Sequence, residues 1–244
     1  MGRPKPPPED MPWKEPLHDP GPVVIFDIDG VLADMRPFHH LIEADSSRQK
    51  DWKEFHRNFS NARPIKAGLT TAKRIFHELD IDLAYSTTRP EQHARRTLRW
   101  FEKHNVPMGP IQFRHYVRDG PRPPAEVKVR HWREWQKKWA DDNPVLAWIE
   151  DDTTCKHELL RHGCPAWGPK ELMSAAREHG SLKAALEAGP MSWDELAANR
   201  DGTYDEWREA ENEWDDIRRQ WWQEEKVRQR QIRQERRAHA DRHR

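Results

Sequence analysis

Residues Val23 to Phe26 form an unbroken run of β-formers that ends in Asp27-Ile28-Asp29-Gly30, and this stretch restricts the fold more than any other in the chain. Four such residues in a row predict a strand buried on both faces, with Gly30 as its sharp exit. A side-chain period of two predicts that Asp27 and Asp29 leave the strand on the same side. Both carboxylates then face one centre beyond the sheet edge, which is where open α/β sheets bind ligands.

Further along, the pattern alternates between strands and helices. Leu69, Ala72, Ile75, Phe76 and Leu79 have helical spacing, Ile81 to Tyr85 is an apolar strand pattern, and Ser86-Thr87-Thr88-Arg89-Pro90 follows it. Pro90 predicts the first turn of the next helix, which runs through Leu98 and Phe101 and stops at Asn105. Further strands are predicted at Ile111 to Tyr116, Val145 to Ile149 and Ala166-Trp167. Helices carrying Trp132 and Trp135, and Thr153 to His162, lie between them. This β-α-β order predicts a doubly wound α/β fold with a parallel sheet and helices on both faces. The polar and aromatic stretch from Arg36 to Arg63 reads as an insert of short helices over the sheet edge.

Of the 244 residues, 35% are hydrophobic and 34% charged, too few apolar residues to extend a core over the whole length. They concentrate between Val23 and Leu172, which predicts a domain at 23–172 with an insert at 34–66. A Pro-rich lead-in covers 1–22 and a charged helical tail covers 173–244. Lys plus Arg equals Asp plus Glu at 42 each, so no net field steers a polyanion toward the chain. Cys155 and Cys164 have no metal-ligand spacing. No signal-peptide pattern and no membrane-length apolar run is present, so a cytoplasmic setting without membrane contact is expected.

Parallel strands share one direction, so Asp27 and Asp29, then Thr87, then Asp151 and Asp152 gather at one sheet edge, with Lys128 within reach. So many carboxylates repel one another unless a hard cation sits among them, and oxygen ligands with water suit Mg2+. A phosphomonoester fits that arrangement. Asp27 would attack phosphorus to give an aspartyl-phosphate, and Asp29 would serve as general acid and then base. Thr87 and Arg89 would donate to phosphoryl oxygens, and Lys128 would neutralise charge. Taken singly, each residue has a plainer reading: Asp27-Ile28-Asp29-Gly30 a turn, Asp151-Asp152 a helix N-cap region, Lys128 a surface lysine.

Taken together and in order, Asp27-Ile28-Asp29-Gly30, Thr87-Thr88-Arg89-Pro90, Lys128 and Asp151-Asp152 resemble the four signature motifs of the haloacid dehalogenase (HAD) superfamily of phosphatases. More narrowly, Tyr116 to Arg122, Glu126-Val127-Lys128, Ile149 to Asp152 and Leu160 to Pro165 resemble the phosphatase domain of phage polynucleotide kinase/3′-phosphatases. The resemblance implies a HAD-like Rossmannoid sheet with a small helical cap and a C-terminal helical extension. It implies Asp27 as nucleophile and Asp29 as acid/base, with the Asp29 backbone carbonyl also binding Mg2+. It further implies Thr87, Thr88, Arg89 and Lys128 around the phosphate, and Asp27, Asp29, Asp151 and Asp152 around the metal. Val31 stands where many members have Thr, and Thr88 stands where Gly is usual, which leaves Ser86 as an alternative to Thr87 for the hydroxyl. The substrate implied is a 3′-phosphate on a DNA or RNA end. The alternatives are a nucleotidase or small-molecule phosphatase, or a non-catalytic HAD-fold interaction protein. If of phage origin, the chain would work in host cytoplasm. No G-x-x-x-x-G-K-[ST] kinase loop occurs.

In the insert, Arg36, His39, Trp52 and Phe55 either line the substrate approach or pack the cap. His39-His40 and His56 lack a third ligand at metal spacing. In the tail, Trp207, Trp214 and Trp221 recur every seven residues beside Ala210 and Ile217, a stripe suited to a homodimer or to the chain's own domain. Asp194 to Glu225 carries 12 acids against 4 arginines, whereas Lys226 to Arg244 carries 8 basic residues against 2 acids. That basic end either binds nucleic acid or is a solvated helix end.

Overall fold

A computed structural model of the chain describes residues 14, 17, 19–42, 51–120 and 122–198. Strands β1 (Val23–Asp27), β2 (Ala33–Asp34) and β3 (Arg63–Pro64) surround the insert. They are followed by β4 (Asp82–Pro90), β5 (Ile111–Arg114), β6 (Val145–Ile149) and β7 (Ala166–Trp167). Helices are α1 (Trp52–Arg57), α2 (Lys66–Glu78), α3 (Ala94–His104), α4 (Tyr116–Asp119), α5 (Pro124–Lys138), α6 (Thr153–Arg161), α7 (Pro169–Glu178), α8 (Leu182–Ala188) and α9 (Trp193–Ala198), with 3-10 turns at Arg36–Leu41, Asn58–Ser60 and Glu91–His93.

The main sheet has five parallel strands in the order β5-β4-β1-β6-β7, as the alternating pattern predicts. Because successive side chains alternate, β1 feeds two separate cores. Val24 and Phe26 join Leu83, Tyr85, Ile111 and Phe113 under α2 and α3, and Val23 and Ile25 join Ala84 and Trp148 under Trp132 and Trp135 of α5 and Leu159 of α6. Thus β1 is buried on both faces, and its carboxyl end opens between two helical layers.

The boundaries differ from expectation where hydrogen bonding overrides pattern. β4 extends through Pro90, which ends the strand and precedes a 3-10 turn rather than sitting in the first turn of α3. β5 stops at Arg114 because His115 begins the short α4. Asn105 ends α3 in the left-handed conformation, as expected of a helix stop. The insert is pinched at its neck by the antiparallel pair β2-β3.

The domain also runs past Leu172. Leu172 and Ala175 of α7 and Leu182, Ala185 and Leu186 of α8 are buried in the same core as β1 and β4, and the first compact unit extends to Trp193. The reason is packing: α7 and α8 pack on each other, and α8 contacts β6, whose Ala147 and Ile149 lie in the same core. The tryptophan stripe at 207–221 and the basic end lie outside the described residues, as do the homodimer and nucleic-acid readings placed on them. Among the described residues no helix is long and apolar enough to cross a membrane. If α8 belongs to the core, Leu186→Ala lowers unfolding free energy by about 2–5 kcal/mol in urea titrations.

Candidate active site

Register brings the site residues level with one another. Asp27, the last residue of β1, lies opposite Ser86 of β4, and Phe26 lies opposite Ile149 of β6, so Glu150 follows beside Asp27. Asp27, Ser86 and Glu150 have the parity of Ile25, Ala84 and Trp148, which face α5. Lys128 sits one turn into α5, on its buried side.

There the Lys128 ammonium lies 2.6 Å from Asp27 Oδ1 and 3.0 Å from Glu150 Oε2, and donates to the Ser86 carbonyl at 2.9 Å. Only 1% of Lys128 is exposed. Burial by itself disfavours a charged lysine, but Asp27 and Glu150 outweigh it and hold the ammonium above its ordinary pKa. Burial raises the pKa of Asp27 and of Glu150, and Lys128 opposes it in both cases. Asp27 also accepts from the Ile28 amide at 2.7 Å, which fixes its rotamer.

Asp151 completes the acidic group. Asp27, Glu150 and Asp151 each offer a carboxylate oxygen, all within 4.8 Å of one another. Burial of its carboxyl, and then the Asp27 charge, push Asp151 up to about 7. Gly30 makes room for it: its φ is +87°, and a Cβ there would overlap the Asp151 carboxylate. An all-oxygen set carrying more negative charge than one lysine balances suits a hard divalent cation such as Mg2+.

Asp29 goes elsewhere. The strand ends at Asp27, and the turn closed by Leu32 N to Ile28 O and Gly30 N to Ala33 O redirects the next carboxylate. Asp29 meets Arg89, whose Nη2 and Nε donate at 2.5 and 2.9 Å. Arg89 is buried, donates Nη1 to Thr97 of α3 and stacks 4.3 Å above the Phe59 ring. The two aspartates therefore do not share one side, as strand periodicity had predicted: Asp27 is held from the α5 layer, and Asp29 by a cation anchored on α3 and the insert.

The remaining candidates fall into three groups. Thr87 and Ser86 are both buried, but the Ser86 hydroxyl lies 2.7 Å from His131 Nδ1, whose Nε2 reaches the Phe113 carbonyl at 3.2 Å. Burial keeps His131 neutral, so its Nε2–H donates to Phe113 and Nδ1 accepts from Ser86. Thr87 Oγ1 accepts from the Arg89 amide at 3.1 Å, and the Thr88 carbonyl accepts from Arg114. Asp152 accepts from the Cys155 amide at 2.8 Å as the N-cap of α6, the plainer reading of the acidic pair. Arg36 forks onto Asp34 on the exposed surface, while His39 and Trp52 pack near Phe55.

Glu150 and His93 border the site without having been singled out from sequence, and His56, weighed there only as a metal ligand, joins them. Glu150 was legible only as part of a strand-end acidic run, although its parity with Trp148 marks its direction. His56 and His93 come together with ring centroids 4.7 Å apart. Their pairing crosses from the insert to the turn before α3, a contact that linear spacing does not reveal.

No protein-family model matches the sequence, and no curated protein matches it. Solved structures with a similar course include a chain of the "Pnkp1/Rnl/Hen1 RNA repair complex", at 12% identity and TM-score 0.47, covering 66% of this chain and 46% of that one. A class C acid phosphatase from Bacillus anthracis with tungstate bound aligns at 13% identity and TM-score 0.39, covering 55% and 53%. A HAD family hydrolase from Deinococcus radiodurans R1 with bound phosphate and sodium aligns at 15% identity and TM-score 0.41, covering 61% and 80%. The aligned part spans about half the length of the first two structures. At these identities and TM-scores the likeness transfers neither activity nor substrate.

Gly30→Ala should displace the Asp151 carboxylate and weaken Mg2+ binding measured by calorimetry. Asp151 has its pKa raised in the folded state, from the ordinary 3.8 to about 7, so the folded protein holds its proton over a range where the unfolded chain has released it. In the absence of divalent cations its contribution to stability is therefore full below about pH 4 and is lost as pH rises through 7. Asp151→Asn should flatten that part of the stability profile relative to wild type.

Proposed function

We propose that the chain is a HAD-type phosphohydrolase that removes phosphate from phosphomonoesters through Asp27, and that its substrate is a 3′-phosphate on a nucleic-acid end. The observation that supports this most is the Lys128 bridge between Asp27 and Glu150 at the carboxyl end of β1, with Asp151 beside them. A structural ion pair needs one carboxylate for its lysine. The extra negative charge collected here, in a parallel sheet at the strand ends, suits a cation and an anionic substrate.

In this reading Asp27 attacks phosphorus, the P–O bond to the leaving group breaks, and an aspartyl-phosphate forms. Asp29 donates a proton to the leaving oxygen and then takes one from the water that cleaves the acyl-phosphate. Arg89 holds Asp29 in place and keeps a positive charge beside it. Lys128 opposes the burial that raises the Asp27 pKa and places a positive charge between Asp27 and the incoming phosphate. Asp27 and Asp151, with Glu150 adjoining, would hold Mg2+, which supplies charge neutralisation for the phosphoryl group. Asp152 serves the α6 cap in this arrangement, and Asp29 is occupied by Arg89, so the metal set is narrower than the four aspartates that sequence resemblance implies.

Phosphate release from a 3′-phosphorylated oligonucleotide, from nucleoside monophosphates and from glycerol phosphate, each with Mg2+ or with EDTA, tests the reading. Mg2+-dependent release from the oligonucleotide is expected. No release from any substrate would overturn the enzyme assignment, and release from the monophosphates alone would replace the substrate with a mononucleotide. Asp27→Asn should abolish turnover, and Asp29→Asn should lower kcat by about 10²–10⁴-fold.

A further inference from the structure

The wall beside Asp29 joins the insert to α3 through specific contacts. Arg96 donates to the His56 carbonyl at 3.2 Å, and the Trp100 indole donates to the Ala62 carbonyl at 2.7 Å. Along this wall run the rings of Trp52, His56 and His93, with centroids 5.9 Å and then 4.7 Å apart. The series runs from Trp52, which is 48% exposed and also meets Phe55, to the point where His93 meets Phe59, the ring under Arg89. Burial, then neighbouring charges including Arg96, hold His56 and His93 down to about 4, so both present neutral π-faces near pH 7.

Next to this series, α3 carries an unbalanced charge. Ala94, Thr97, Trp100 and Phe101 turn inward, which leaves Arg95 and Arg99 exposed and Arg96 at the edge against the insert. Among the described residues no carboxylate pairs with any of these three arginines, whereas most other surface arginines of the domain have an acidic partner. A helix that only needed solubility would pair its cations at i, i+4, as α5 does with Arg130, Glu134 and Lys138.

We propose that this wall is a track for single-stranded nucleic acid, with bases stacking on the Trp52 end of the ring series and Arg95 and Arg99 holding the backbone that leads to the Asp27 site. The proposal rests on the phosphatase reading for its direction, because the track ends at Asp29 and Arg89. Its chemistry is that of sequence-tolerant strand binding, in which aromatic faces take the bases and unpaired cations take the phosphates. An acidic protein would use the arginines but would have no use for the ring series.

The test uses the full chain and a fluorescein-labelled single-stranded oligonucleotide ending in a 3′-hydroxyl, so that no turnover is involved, with binding read by anisotropy at several salt concentrations. Wild type should bind it more tightly than a blunt duplex of the same sequence. Trp52→Ala should raise Kd by about five-fold or more, the loss of one stacked base. Arg95→Ala/Arg99→Ala should lower the slope of log affinity against log salt by about 1.4, two phosphate contacts on a single strand. All three residues lie at the surface, and circular dichroism checks that each variant is folded. Absence of binding by wild type, tighter binding of the duplex, or variants that match wild type in both Kd and salt slope would overturn the track. A protein that binds through these residues yet releases no phosphate from any substrate would keep the track and sink the phosphatase reading instead.

Discussion

The candidate site depends on one buried lysine. Lys128 lies where β1, β4 and β6 end together, and its three donors meet a carboxylate from β1, a carboxylate following β6 and a backbone carbonyl of β4. Burying a single carboxylate away from water is costly, and burying two beside each other is costlier. The lysine makes both tolerable, and the three strand ends are tied to α5 as a result. Burial raises the Asp27 pKa and Lys128 opposes that rise, so the contact that ties the strand ends to α5 also bears on the charge of Asp27.

Around that lysine the sheet sorts its polar side chains by parity. Residues with the parity of Asp27 turn toward α5 and find Lys128 and His131; residues with the parity of Thr87 turn toward α3 and the insert. Asp29 escapes the rule because its strand has already ended, and a turn hands it to Arg89. The result is two ion pairs on opposite layers of the molecule, one for each aspartate, with Gly30 between them shaped to admit Asp151. Such separation gives two carboxylates close in sequence different cations and different helical layers.

Much of this was legible from pattern. The apolar run at Val23 to Phe26, the helical spacing of Leu69 to Leu79 and the Asn105 stop all describe local preferences that the structure keeps. The misplacements have local causes too: Pro90 was read by its helix-start preference, but parallel pairing with β5 held it in strand. Leu172 was read as the end of the domain because the apolar residues concentrate between Val23 and Leu172, and only packing shows that α7 and α8 belong to the core. Glu150 was passed over because a carboxylate between an apolar strand and two aspartates looks like one more charged residue until Lys128 is seen against it.

What the sequence determined by itself was the order of strands and helices and the gathering of carboxylates, lysine and hydroxyl at one sheet edge. Those follow from side-chain period and chain direction, which are local properties. Only the tertiary structure decided which cation holds which carboxylate, why Asp152 caps a helix while Glu150 joins the cluster, and how His56 and His93 meet across the insert. Such pairings depend on distances of a few ångströms between segments far apart in the chain, and burial then sets their charge states. Neither quantity is encoded in the spacing of residues along a line.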